Sequence, residues 1–302
     1  MRTPLLCFLF FLLTILSIGC ADPLPLDEVS EDQKLMLWCE AMIGGEITAR
    51  LQRTTPLDGR VQGGIDSTAT ISIRYTDGID QIINLLWEPT RQLYTAGEFG
   101  KLKANERTII TASVTDNADL DVQATMVHPL SRRLDSISLD SELQVKNDQH
   151  AISVSLHVPR QSSSLAEYYH IIPLRRASYL STQGVREGGL ESMTVDNVWN
   201  NNLVVQPLSN QAGILVDASR LDGQPVQLDL LSQELDGNEM TTALEFEVRS
   251  VTKDYFYYHS ARSRMLVDHT DPNQTPVIMT GNVKNGYGLY SSYITTRSSI
   301  EL

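Results

Sequence analysis

The stretch T-A-T-I-S-I-R-Y, residues 68–75, decides the fold class. Ala69, Ile71, Ile73 and Tyr75 fall at every second place, with Thr70, Ser72 and Arg74 between them. A period of two puts the first set on one side of an extended chain and the second on the other, as in a half-buried strand. T-D-G at 76–78 then supplies turn chemistry. The pattern recurs on both sides. Ile47, Ala49 and Leu51 form a short strand before it. After it, Thr108, Ile110, Ala112 and Val114 make one inward row, and Leu120, Val122, Ala124 and Met126 make another. D-N-A-D lies between the two rows, so 107–127 reads as a hairpin. Short strands with turn signals every ten or so residues predict an Ig-like or fibronectin-III-like β-sandwich over residues 33–128.

H-P-L-S-R-R-L, residues 128–134, reads as a junction, and alternation resumes beyond it. Ile152, Val154, Leu156 and Val158 face in, while Ser153, Ser155 and His157 face out. E-Y-Y-H-I-I-P-L, then Val226/Leu228/Leu230 and Leu244/Phe246/Val248, give three more strands. The expected class is therefore all-β, with a second β-sandwich domain over 129–302. Its segment 177–212 is rich in Ser, Gly and Asn and weakly periodic, and is expected to be a long loop insertion. That segment carries Trp199 ahead of Asn200, Asn201 and Asn202. A tryptophan there either folds back on the domain or is displayed, so Trp199 is the candidate partner contact. One short helix is expected at 252–266, with Thr252 as cap, Asp254 in the first turn, and Arg262 and Arg264 in the last. Tyr255, Tyr258 and Arg262 share a face of it, more suited to packing on a sheet than to holding a ligand.

The N-terminus addresses location. Arg2 precedes an apolar run at 5–18, and Gly19 stands immediately before Cys20. The run is too short to hold a helix across a bilayer and fits the core of a secretory signal. A small residue before cysteine is the pattern of a lipoprotein signal, so residues 1–19 are expected to be removed and Cys20 to carry lipid. Ser17 stands where such signals usually have Leu. Two or three acyl chains hold a protein firmly, at roughly 0.8 kcal/mol per buried CH2. Residues 20–32, with two prolines and acids such as Asp22, Asp27 and Glu28, read as an extended acidic tether.

A formal charge of −13 argues against a nucleic-acid partner, which would need a basic patch. Of three cysteines, Cys7 leaves with the signal and Cys20 takes lipid. Cys39, alone in the apolar run K-L-M-L-W-C-E-A-M, is expected to be a buried inert thiol. No nucleophile elbow, H-E-x-x-H pair, phosphate loop or dinucleotide fingerprint occurs. The six histidines lack metal spacing, and D-N-A-D-L-D at 116–121 lacks the glycine and glutamate of a calcium loop. No catalytic, cofactor or metal residue is expected.

The closing run G-N-V-K-N-G-Y-G-L-Y-S-S-Y-I-T-T-R-S-S-I-E-L resembles the ending of a family of Bacteroidetes-type lipoproteins known as domain of unknown function 4249. Gly281, Asn282, Asn285, Gly286, Gly288 and Tyr290 stand at that family's closing positions. Asp217, Leu221, Asp222, Gly223 and Gln224 resemble its internal D-x-x-F/L-D-G-Q element, and V-R-S-V-T-K-D-Y-F-Y-Y its strand-into-helix step. The resemblance implies two β domains behind a lipoprotein signal, and genes set beside TonB-dependent outer-membrane transporters. It carries over no catalytic residue.

The expected function is that of an outer-membrane, surface-exposed lipoprotein, a non-enzymatic binding component of a TonB-dependent nutrient uptake system. The rival readings are a structural or adhesive surface protein, and a hydrolase whose carboxylates converge in the fold. Lipidation is open to test: Cys20→Ala is expected to move the protein from the membrane to the soluble fraction. A variant that still needs detergent for release contradicts the anchor.

Overall fold

Alternating rows become strands when each apolar row finds another to pack against, and the backbone groups between them pair sideways. The computed structural model describes residues 33–55, 63–76, 81–97, 101–117, 120–140, 144–146, 149–159, 167–182, 184–200, 204–209, 211–232, 239–267 and 281–302. The expected signal and tether, residues 1–32, lie outside them. The first strands are β1 (Leu35–Met42), β2 (Ile47–Arg53), β3 (Gly64–Ile65), β4 (Thr70–Tyr75), β5 (Ile82–Glu88), β6 (Leu93–Ala96), β7 (Arg107–Ser113) and β8 (Asp121–Val127). Then come β9 (Ser136–Leu139), β10 (Gln144–Lys146), β11 (Gln149–His157), β12 (Tyr168–Ser181), β13 (Gly184–Ser192) and β14 (Thr194–Val198). The last are β15 (Val205–Pro207), β16 (Ile214–Asp217), β17 (Val226–Leu231), β18 (Glu239–Val251) and, after helix α1 (Lys253–Val267), β19 (Tyr287–Glu301). The described chain is thus mostly β-strand, with one α-helix.

One sheet runs β15-β16-β12-β18-β19-β1-β2-β6-β5-β4-β7-β8, with β13 also on β12 and β3 on β2. A second runs β10-β11-β17-β14, with β9 also on β11. Neighbours are antiparallel except β19 and β1, which are parallel. The first eight strands roll around their own core. Leu35, Leu37 and Cys39 of β1 face Ile71 and Ile73 of β4 and Ile110 and Ala112 of β7 in a single buried cluster. The roll returns on itself where Gln123 and Lys284 exchange both backbone hydrogen bonds, at 3.3 and 2.7 Å. A second core lies between the five-stranded sheet and the other end of the large one, joining Val154, Leu156, Val226 and Leu228 to Ile171, Phe246 and Val248.

β19 serves both cores. Its first half pairs with β1, from Tyr287 opposite Met36 to Tyr293 opposite Met42. Its second half pairs with β18, from Tyr293 opposite Val251 to Glu301 opposite Ala243. Tyr290 is buried in the first core and bonds Thr108 through its hydroxyl at 2.8 Å. Thr108 in turn meets His128 Nε2 at 3.0 Å, and His128 Nδ1 meets Ser292 of β19 at 2.9 Å. The junction segment is therefore pinned to the C-terminal strand. Where β18 has ended, Asn282 takes its place: its amide accepts from Tyr290 N at 2.8 Å and donates to Tyr290 O at 2.7 Å.

Two expectations need correction. Residues 177–212 are not a long loop, for they carry the end of β12 and then β13, β14 and β15. β13 escapes notice because Val185, Arg186 and Leu190 are all exposed, and it is held by backbone pairing with β12 and by Glu191, which meets Arg175 and Tyr179. In β14 a bulge between Val195 and Asn197 puts the two inward valines, 195 and 198, three apart instead of two. Ser155, expected to face solvent, is buried with its hydroxyl on Asp140 at 2.5 Å.

Close approach of backbones fixes the β1–β19 pairing. Gly288 has φ +118°, and a Cβ there would lie 1.8 Å from the carbonyl oxygen of Leu37. Gly288→Ala is expected to cost about 3 kcal/mol or more, by forced strand separation and left-handed strain. Denaturant unfolding checks this, and a change under about 0.5 kcal/mol, the scale of a surface substitution, contradicts the pairing.

Candidate functional site

Helix α1 is built to sit on β19. Thr252 caps it, its hydroxyl receiving Tyr255 N at 3.4 Å. Tyr255, Phe256, His259, Ser260 and Ser263 are buried. This inner side is half polar, so the helix is held by hydrogen bonds as much as by apolar contact. Ser263 Oγ receives Ser209 N at 2.8 Å, and the Ser260 hydroxyl bonds the Gln206 side chain. Tyr168, Leu215, Val251 and Phe256 supply a small apolar cluster beneath.

Two histidines flank Tyr255. His170 Nε2 donates to Ala212 O at 2.9 Å, which leaves its Nδ1 to accept the Tyr255 hydroxyl at 2.9 Å. Gln211 Nε2 donates to His259 Nδ1 at 2.8 Å, so His259 Nε2 carries the proton and donates to Glu40 Oε1 at 3.1 Å. The Tyr255 and His259 rings lie 4.2 Å apart. Burial pushes the Tyr255 phenol well above its usual range and His170 down to about 4. His170 is thus a neutral spacer. Each ring nitrogen of both histidines has a structural partner, and the chain ties β1 to β12 through the helix.

Beside this chain opens a cleft of about 760 Å³, between α1 and the outer face of β1 and β2. Such a volume suits a small organic ligand. Trp38 and Tyr258 meet in its wall at 4.6 Å and 75°, edge to face. Arg50 stands directly across the strand pair from Trp38, and Arg262 lies one helical turn from Tyr258. Glu40 is the one carboxylate lining it among the described residues. A second cleft, of about 600 Å³, lies over the junction and is walled by Val127, Leu130, Tyr168 and Val251. The buried hydroxyl of Ser250 lines it without a partner among the described residues.

The profile of the family described as "Domain of unknown function (DUF4249)" matches residues 21–299. The chain belongs to that family. No curated protein matches it. Among solved structures, the zebrafish (Danio rerio) Fcho1 Mu homology domain with bound Eps15 peptide aligns at 10% identity. The alignment covers 89% of this chain and 97% of that one, with a TM-score of 0.21, a level from which no common fold follows.

The family's motif residues have structural work in this chain. Asp217 accepts from Ser219 N at 3.2 Å to start the 3-10 turn Ala218–Arg220, and Asp222 and Gly223 follow with positive φ. Asn285 takes φ +63° ahead of β19. Of the candidate site residues, Cys20 lies outside the described residues. Trp199 is displayed, 66% exposed, at the end of β14. Its indole Nε1 donates to Asp229 Oδ2 at 3.2 Å, its backbone N to Gln227 O at 3.1 Å, and Asn200 bridges to Pro225 and Gln227. Cys39 is fully buried, and burial with Glu40 beside it pushes its thiol far above the usual range. Among the described residues, no three His, Cys, Asp or Glu gather where a metal could sit. The Trp38–Tyr258 cleft escaped the sequence reading, although Met36, Trp38 and Glu40 already alternate against the inward Leu35, Leu37 and Cys39. Nothing local announced that a helix more than two hundred residues later would cover them.

Acid is expected to loosen this arrangement. Burial lowers both His128 and His170 from 6.5 to about 4 in the fold. The unfolded chain therefore binds more protons in the interval between those values, and stability falls as pH drops through it. Above about pH 6.5 these two groups add no slope. Melting temperatures measured across the interval should decline towards its acid end, and a flat profile contradicts the buried neutral state.

Proposed function

We propose that this chain is a lipoprotein held to the outer membrane through Cys20, serving as a binding component beside a TonB-dependent transporter rather than as an enzyme. On this reading the two Ig-like sandwich modules expected from the alternation correspond to the two cores, the first completed by β19. Three things support it: the signal pattern around Gly19 and Cys20, the setting that the family resemblance implies, and an exposed anchor on the folded part. Among the described residues no helix is long and apolar enough to cross a membrane, so a lipid anchor would supply attachment.

The single observation that carries the partner-binding role is Trp199. Its side chain is two-thirds exposed, and what sets it apart from an ordinary exposed apolar residue is that it is held in place. Here Asp229 fixes the indole and Asn200 fixes the strand end, so little ordering remains to be done on docking. Tryptophan is also the residue most over-represented among interface anchors.

Deleting the surrounding segment would remove β13 and β14 from their sheets, so a point substitution is the right probe. Trp199→Ala in the tagged lipoprotein is expected to cut transporter co-purification from outer membranes about tenfold or more, the effect of losing an anchor residue. Its melting temperature should hardly move. Unchanged co-purification removes Trp199 from the contact. A wild-type protein that brings down no transporter overturns the uptake reading and leaves the adhesive one.

A further inference from the structure

We propose that the cleft between α1 and β1–β2 binds a small carboxylate on a ring-sized body, with Arg50 and Arg262 holding the charge and Trp38 and Tyr258 the ring. This deepens the uptake reading and rests on it for the ligand's purpose, though not for its binding.

The geometry comes from two independent periodicities. On the sheet, Trp38 and Arg50 are direct cross-strand partners, so both side chains stand on the outer face. On the helix, Tyr258 and Arg262 are four residues apart and share a face. Contact of the Trp38 and Tyr258 rings brings the two pairs together in one cleft. Aromatic surface with guanidinium groups beside it suits a ring that carries negative charge.

Charge supports the same ligand. The protein carries −13 overall, yet this cleft is lined by two arginines and one carboxylate. That carboxylate, Glu40, already accepts the His259 proton. Neither guanidinium has a hydrogen-bond or ion-pair partner among the described residues, whereas Arg53, Arg91, Arg176 and Arg249 all have one. Two arginines beside aromatic rings, unpaired among the described residues, make this cleft locally positive in an acidic protein. Glu40 lines the same cleft and can accept from a ligand hydroxyl, which fits a hydroxylated ring.

Two sources offer this chemistry, an acidic sugar and a hydroxylated aromatic acid. The test is calorimetric titration of the purified full chain with galacturonate and with 4-hydroxybenzoate at millimolar concentration. Each has a neutral counterpart of the same shape, galactose and 4-hydroxybenzamide. Saturable binding of at least one acid, with its counterpart at least roughly tenfold weaker, is the expected result, and which acid binds identifies the source. Arg50→Gln and Arg262→Gln should each weaken binding by roughly tenfold or more, as loss of a charge-assisted contact does. Arg91→Gln, away from the cleft, should leave it unchanged. Arg50 is exposed and Arg262 half-buried, and neither has a hydrogen-bond or ion-pair partner among the described residues, so both variants should melt with the wild type.

The proposal is overturned if neither acid binds, if a neutral counterpart binds equally, or if binding survives either arginine substitution in a folded protein. Binding by the isolated chain needs no transporter. Intact ligand binding without co-purification therefore strikes only the uptake reading, and the reverse outcome strikes only this one.

Discussion

The structure depends on one backbone contact: β19 lies parallel to β1 so closely that Gly288 has no room for a side chain above the Leu37 carbonyl. Parallel neighbours cannot be joined by a tight turn, and here most of the chain lies between the two strands. Once formed, it puts Tyr290 into the first core and Ser292 onto His128. Beyond Tyr293 the same strand runs along β18 and brings Ile300 against the second core. The two cores are thereby served by a single fifteen-residue strand.

The helix follows from where β18 stops. β18 leaves the flank of β19 at Tyr293, and α1 follows at Lys253 and packs against β19. A helix there must satisfy the neighbours on both sides, which explains its serine-rich inner face and the histidine at 259. The hydrogen-bonded chain from Glu40 through the buried His259 to Gln211 helps to fix the helix position. The cleft is a by-product of that placement. The helix covers the outer face of β1 and β2 only in part and leaves Trp38 and Arg50 facing Tyr258 and Arg262.

Legibility in the sequence tracked burial. Ile71, Ile73, Ile110 and Val122 each lie on a strand with one wet and one dry face, and period two reads directly from such strands. The helix was readable from Thr252 and its spacing. β13 was not, since its Val185 and Leu190 are exposed, and β14 was not, since its bulge resets the period. The closing glycines and asparagines were recognisable as turn chemistry, but their partner, Leu37, lies some 250 residues away in sequence, and no local pattern encodes a parallel pairing of that range. The candidate site suffered the same handicap twice over. Trp38 and Arg50 come from the first hairpin and Tyr258 and Arg262 from the helix, and only the β19 pairing sets them face to face.

Native-state hydrogen exchange tests the central claim most directly, that β19 makes the two cores one cooperative unit. The amides to compare are those of Ile73 and Ile110 in the first core with those of Leu228 and Phe246 in the second, and of Cys39 and Tyr290 at the seam. A common opening free energy for all six, converging in denaturant on one isotherm, is what the shared strand predicts. If the first core instead exchanges through its own unfolding while Leu228 and Phe246 remain protected, the cores are independent and β19 does not join them.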